Sequence, residues 1–91
     1  MEKALWYLLA GTRGGRNRAR IIQCLSERPH NANQLAEKLE LDYNTVRHHL
    51  DMLVDHGVIE PGESEYGKLY FLTDRFEHNE ETFETIMEHV D

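Results

Sequence analysis

Residues 41–57 read LDYNTVRHHLDMLVDHG, and this stretch decides the fold. Asp42 can accept a hydrogen bond from a free N–H of a first helical turn, which makes it an N-cap. Val46, Leu50, Leu53 and Val54 then recur at helical spacing on one face. Gly57 suits the left-handed residue that closes a helix, so the segment predicts a helix over 43–56. The opposite face carries Tyr43, Asn44, Arg47, His48 and Asp51, crowded toward the N-terminal end. A helix that enters the DNA major groove needs polar residues there, because those reach base edges. An ordinary amphipathic helix with a solvated face has the same pattern, and this segment alone leaves both readings open.

The residues just upstream bear on the choice. In Asn31-Ala32-Asn33-Gln34-Leu35-Ala36-Glu37-Lys38-Leu39-Glu40, Asn31 and Gln34 have the spacing of a capping box, and Leu35, Ala36 and Leu39 form an apolar stripe. Only Glu40 and Leu41 separate this short helix from the cap Asp42. A short helix, a tight turn with an inward Leu41 and a longer helix make a helix-turn-helix. Residues 31–57 resemble the helix-turn-helix of the ArsR-like winged-helix transcription regulators. In that family "N/T-x-x-Q/E-L-A" leads into "T-V-x-x-H-L-x-x-L". Here the matching residues are Gln34-Leu35-Ala36, then Thr45-Val46, His49-Leu50 and Leu53, closing on Asp55-His56-Gly57-Val58-Ile59.

The remaining elements fit that frame. Asn17–Arg28 forms a helix with Ala19, Ile21, Ile22 and Leu25 inward, stopped by Pro29. Val58–Glu60 and Lys68–Leu72 have strand composition, and residues 61–67 join them as a hairpin loop. Helix, helix, helix, strand, loop, strand is the winged helix-turn-helix. The expected class is mainly α with a small β-hairpin, a single domain over 1–91 with its winged-helix core at 16–73. Glu2–Ala10 is apolar on most sides (Leu5, Trp6, Leu8 and Leu9 among them), so it has to be buried. Asn79–Val90 predicts a helix capped by Asn79, with Phe83, Ile86, Met87 and Val90 as its stripe. Phe76 lies one heptad earlier, so this helix can begin near Asp74. The resemblance implies that the terminal helices, within 1–11 and 74–91, pack two subunits together. It assigns Leu5, Trp6, Leu9, Phe83, Met87 and Val90 to a homodimer interface.

Charge is distributed unevenly. Of the net −7, residues 1–60 contribute eight Lys/Arg against eight Asp/Glu, and residues 61–91 contribute two against nine. Arg13, Arg16, Arg18 and Arg20 follow one another with no acid between Gly11 and Ser26. Such a patch attracts phosphates even on an acidic protein, because screening cuts interactions beyond about 10 Å. The expected DNA contacts are therefore Tyr43, Asn44, Thr45, Arg47 and His48 from the recognition helix, with Arg13, Arg16, Arg18 and Lys68 on the backbone. The hairpin departs from the family pattern, since Glu63 and Glu65 near its tip repel phosphates; either the wing lifts away from DNA, or Tyr66 and Lys68 touch the backbone from its second strand. That acidic wing supports a second reading, a winged-helix protein-interaction module with little affinity for DNA. Seven Arg against three Lys among many acids points to a salt-rich cytoplasm, and the family resemblance is to archaeal-type members.

Other chemistries find little support. The zinc-sensing branch of the family uses D-x-H-x10-H-x2-[EH]. His78 and His89 have the x10 spacing, but Phe76 holds the acidic position and the last ligand falls past residue 91. Two ligands do not make a tetrahedral zinc site. The family's C-x-C is absent, and Cys24, the only cysteine, lies on the inner face of a helix. His48 and His49 point about 100° apart on a helix, which is poor for chelation. By the family match His49 packs near the wing. Gly11–Arg16 lacks both phosphate-loop patterns, and no nucleophile elbow or kinase signature occurs. No metal, cofactor, membrane association or catalysis is expected, and the chain is expected to be cytoplasmic.

Overall fold

The computed structural model describes residues 1–63 and 68–90. Its chain order is α1 (Glu2–Leu9), α2 (Gly15–Glu27), α3 (Ala32–Leu39), α4 (Tyr43–Asp55), β1 (Ile59–Pro61), β2 (Tyr70–Leu72), α5 (Asp74–Glu77) and α6 (Glu80–His89). The class is mainly α with a two-stranded antiparallel hairpin, a winged helix-turn-helix.

The local signals act where the sequence puts them. The Asn31 side chain accepts from the Gln34 N–H at 2.8 Å, and the Asn31 N–H donates to Gln34 Oε1 at 2.9 Å, which completes the capping box. Asp42 accepts from the N–H groups of Asn44 and Thr45 at 2.9 and 3.3 Å. Helix α4 ends in a Schellman motif. Gly57 takes φ +74°, its N–H bonds the Val54 carbonyl, and the Val58 N–H bonds the Leu53 carbonyl at 2.9 Å. The tight turn between α3 and α4 places Glu40 at φ +56°, a left-handed conformation that usually costs a non-glycine residue about 1–3 kcal/mol. The capped helices on either side hold it there.

One core joins these elements. Val46, Leu50 and Leu53 of α4, Leu35 of α3, Ile21 and Ile22 of α2, and Leu5 and Leu8 of α1 are each no more than 1 % exposed. Cys24 is a buried core residue of α2. Strand pairing runs Ile59 to Leu72, Glu60 to Phe71 and Pro61 to Tyr70. The Tyr70 N–H also bonds the His30 carbonyl at 2.9 Å, so a single bridge ties the α2–α3 connection to the wing. Thr73 locks the wing base to the end of α4, donating to the Gly57 carbonyl at 2.7 Å while its oxygen caps α5 through the Phe76 N–H. Among the described residues no helix is long and apolar enough to cross a membrane.

Several expectations need correction. Helix α2 starts at Gly15 rather than Asn17, because Gly14 at φ +91° turns the chain and its carbonyl accepts the Arg18 N–H. The strands begin later than composition suggests, at Ile59 and Tyr70. The C-terminal helix is not continuous from Asp74. It breaks at His78–Asn79, where the Asn79 N–H bonds back to the Phe76 carbonyl and its amide donates to the Arg75 carbonyl at 2.9 Å. That amide is therefore not the expected side-chain cap of α6. Phe76 and Phe83 still meet edge to face, with centroids 5.6 Å apart. The Gly11–Arg16 connector is also less open than expected, since Gly15 is buried against the Leu9 carbonyl at the end of α1.

Two substitutions test these contacts by chemical unfolding. A Cβ at Gly15 meets the Leu9 backbone, which cannot rotate away, so Gly15→Ala lowers stability by about 1–3 kcal/mol despite alanine's better helix propensity. An unchanged midpoint would show that α1 can retreat at no cost. Removing the α4 cap with Asp42→Ala lowers stability by about 1 kcal/mol.

Candidate nucleic-acid interface

Docking of α4 on its apolar stripe turns its other face outward. Val46, His49, Leu50 and Leu53 are buried, while Tyr43, Asn44, Thr45, Arg47, His48 and Asp51 are exposed. The five recognition-helix residues expected to contact DNA thus share one solvent-facing surface, with Tyr43 retaining 43 % exposure despite its aromatic ring. The Arg47 guanidinium lies beside the Tyr43 hydroxyl, with Tyr70 and Asp51 also near. These neighbours raise its pKa above the ordinary value, the Tyr43 hydrogen bond most. Its ion pair with Asp51 is long, 3.9 Å, and both side chains are well solvated. A contact of that kind orients Arg47 without binding it firmly.

Two grooves meet at Arg47. One of about 180 Å³ is lined by Asn31, Ala32, Asn33, Tyr43, Arg47, Lys68 and Tyr70. It lies where α3 begins, with first-turn N–H groups that point away from the helix and suit an anion. The other, about 380 Å³, runs between α4 and the wing along Arg47, Asp51, Val54, Asp55, Pro61, Lys68 and Tyr70. Lys68 lines both grooves and stays exposed. Sequence reading missed Asn33 and Tyr70 here. Tyr70 reaches the grooves only through the bridge to His30, a pairing across 40 positions that no local pattern announces. Glu63 is exposed beside the wing, and Glu65 and Tyr66 lie outside the described residues.

The arginine cluster is divided by the fold. Arg13 is exposed on the connector. Arg16 and Arg20 line a separate groove of about 280 Å³ with Leu9, Ala19, Gln23, Met87 and Val90, between α2 and the end of α6. Arg18, expected on phosphate, is 1 % exposed. Its Nε donates to the Leu8 carbonyl at 2.8 Å, and its remaining donors are spent on Thr12, Arg13, His49 and Met52. It has no donor left for DNA. His49 is likewise not near the wing: it packs on Arg18 and Gly14, at the opposite side of α4.

The terminal helices need a similar division. Leu5 and Leu9, expected at a dimer interface, are 0 % and 3 % exposed within the protomer and belong to its own core. Trp6, Phe83, Met87 and Val90 pack against that core and remain partly exposed. Helix α1 lies against α6, where Trp6 meets His89 edge to face at 5.9 Å. His89 also contacts the Thr85 carbonyl through Nδ1 at 2.8 Å, and His78 is exposed beyond α5. Among the described residues, no three His, Cys, Asp or Glu side chains gather as metal ligands.

Comparison with known proteins follows the same lines. The family model described as a helix-turn-helix domain matches residues 16–61. No curated protein matches the chain. Among solved structures, a mutant form of ZitR from Lactococcus lactis superimposes with a TM-score of 0.64 and 24% identity, over 80% of this chain and 57% of that one. Reduced HlyU from Vibrio cholerae gives 0.69 and 16%, over 93% and 87%. The transcriptional regulator BldR from Sulfolobus solfataricus gives 0.73 and 15%, over 91% and 61%. The chain spans a little over half the length of the ZitR structure, and these likenesses are likenesses of fold. With its model covering the helix from Arg16 through both helices of the turn to Pro61, the chain belongs to the helix-turn-helix domain family.

Proposed function

We propose that the protein is a sequence-specific, DNA-binding transcription regulator that acts as a homodimer, with α4 in the major groove. The observation that carries this reading is the outward face of α4, where Tyr43, Asn44, Thr45, Arg47 and His48 are exposed opposite the buried Val46, Leu50 and Leu53. Asn pairs bidentately with adenine and Arg with guanine, which gives Asn44 and Arg47 the base-reading roles. The groove at the start of α3 takes a phosphate, with Lys68 beside it. Exposed Arg13 takes a flanking phosphate. Arg16, facing the end of α6, is better placed for the subunit contact than for DNA. That contact uses Trp6, Phe83, Met87 and Val90, whose partial exposure leaves apolar surface a second copy can cover.

Titrations on cognate and random duplexes at several salt concentrations test the DNA roles. Arg47→Ala costs about 1–3 kcal/mol on cognate DNA and erases preference at one base pair. Lys68→Ala weakens both duplexes alike and reduces the salt slope by about one. An unchanged specificity ratio in Arg47→Ala would remove α4 from base readout. No binding even at low salt would leave the protein-interaction module as the better reading, with the acidic last third as its contact surface.

Light scattering tests the assembly. The wild type is expected at twice the chain mass and the double variant Trp6→Asp/Phe83→Asp at the single mass. A dimer further requires a pseudo-palindromic site with half-sites about one helical turn, roughly 34 Å, apart.

A further inference from the structure

Among the described residues, Arg18 is the buried cation that neither the core nor the DNA-facing surface explains, and its contacts join three parts of the chain. Its Nε donates to the Leu8 carbonyl at the end of α1, at 2.8 Å. One terminal nitrogen holds the connector, donating to the Thr12 hydroxyl and, at 3.0 Å, to the Arg13 carbonyl. The other reaches α4, 3.1 Å from His49 Nδ1 and 3.5 Å from Met52 Sδ. Among the described residues no carboxylate pairs with it. Its charge is instead balanced by carbonyl dipoles, one of them at the C-terminal, negative end of α1.

This arrangement fixes the state of His49. Guanidinium has only donors and does not lose its proton, so Nδ1 of His49 must accept, leaving the ring neutral with its proton on Nε2. Protonation would set two N–H groups and two positive charges face to face, about 3 Å apart. The ring cannot easily swing aside, because Gly14 closes over it: even a Cβ there would touch both His49 and Arg18.

We propose that Arg18 and His49 form a positioning pair that sets the recognition helix against α1 and the connector, so that DNA affinity requires His49 to be neutral. The inference rests on the DNA-binding reading. Around the pair stand Tyr7 from α1, Thr12 and Arg13 from the connector, and His48 and Met52 from α4, with no carboxylate among the described residues to favour an imidazolium. Burial first, then Arg18 and His48, depress the His49 pKa below 6.5. The docked geometry is therefore fully favoured above 6.5 and is lost as pH falls through the lower, folded value.

The experiment measures affinity for one duplex at fixed ionic strength from pH 8 to 5, with NMR titration of the histidine rings alongside. The wild type is expected to lose affinity on acidification, about tenfold for each pKa unit by which DNA binding lowers His49 further. His49→Gln, which keeps an acceptor for Arg18 and cannot titrate, stays within about twofold. The wild-type midpoint is expected to coincide with the His49 resonance, a comparison that needs no variant to fold. A midpoint that follows another histidine, a flat or rising wild-type profile, or an unchanged decline in His49→Gln would overturn the pair's role. If no duplex binds at pH 7.5 and low salt, the DNA-binding reading fails instead. The positioning role is then read from hydrogen exchange of α4, whose protection factors, corrected for the intrinsic pH dependence of amide exchange, should fall with acid in the wild type and not in His49→Gln. An equal fall in both would refute it.

Discussion

The apolar stripe of α4 is the contact on which the other arrangements depend. Val46, Leu50 and Leu53 are all fully buried, and each such side chain contributes about 1.5–3 kcal/mol when taken out of water. A helix held by three such side chains along one line cannot rotate about its axis without exposing them. Its orientation is thereby fixed, and with it the direction of every residue on the other face. The capping box of α3 and the cap of α4 add about 1 kcal/mol each, little beside the stripe. They decide where the helices begin, and the stripe decides which way they face.

This explains what was legible in the sequence. Period and caps are local, so the helix-turn-helix, the exposed face of α4 and the general place of the wing follow from residues 31–72 directly. Burial by distant elements is not local, and the misplaced residues fail for that reason. Arg18 has the composition of a phosphate contact, yet three segments converge on it and consume its donors. Leu5 and Leu9 share a helix with Trp6, but the Gly15 approach presses their side of α1 onto the core. The Asp74–Val90 periodicity suggested one helix because Phe76 and Phe83 are a heptad apart. Backbone bonds at Asn79 break it, and the two rings meet across the break.

Charge follows the same partition. The acidic surplus lies on the last third of the chain, largely on the exposed turns of α5 and α6. The face of α4 mixes Arg47, Asn44 and His48 with Asp51 and Asp55. At physiological ionic strength charges beyond about 8 Å are largely screened. What a phosphate meets is therefore the local set around Lys68 and Arg47 rather than the net −7.

The Schellman closure at Gly57 and the Thr73 hydroxyl weld the wing to the last turn of α4. The residues proposed to read bases sit in its first turns, so the thirteen residues of α4 act as a ruler between the two. Each residue of helix advances about 1.5 Å and turns about 100°. Adding or removing one between Asp42 and Gly57 would swing the wing by more than a quarter turn about the α4 axis. The length of this helix thus fixes the angle at which the hairpin stands beside any groove that α4 enters, and loop sequence at the wing tip can vary without changing that aim.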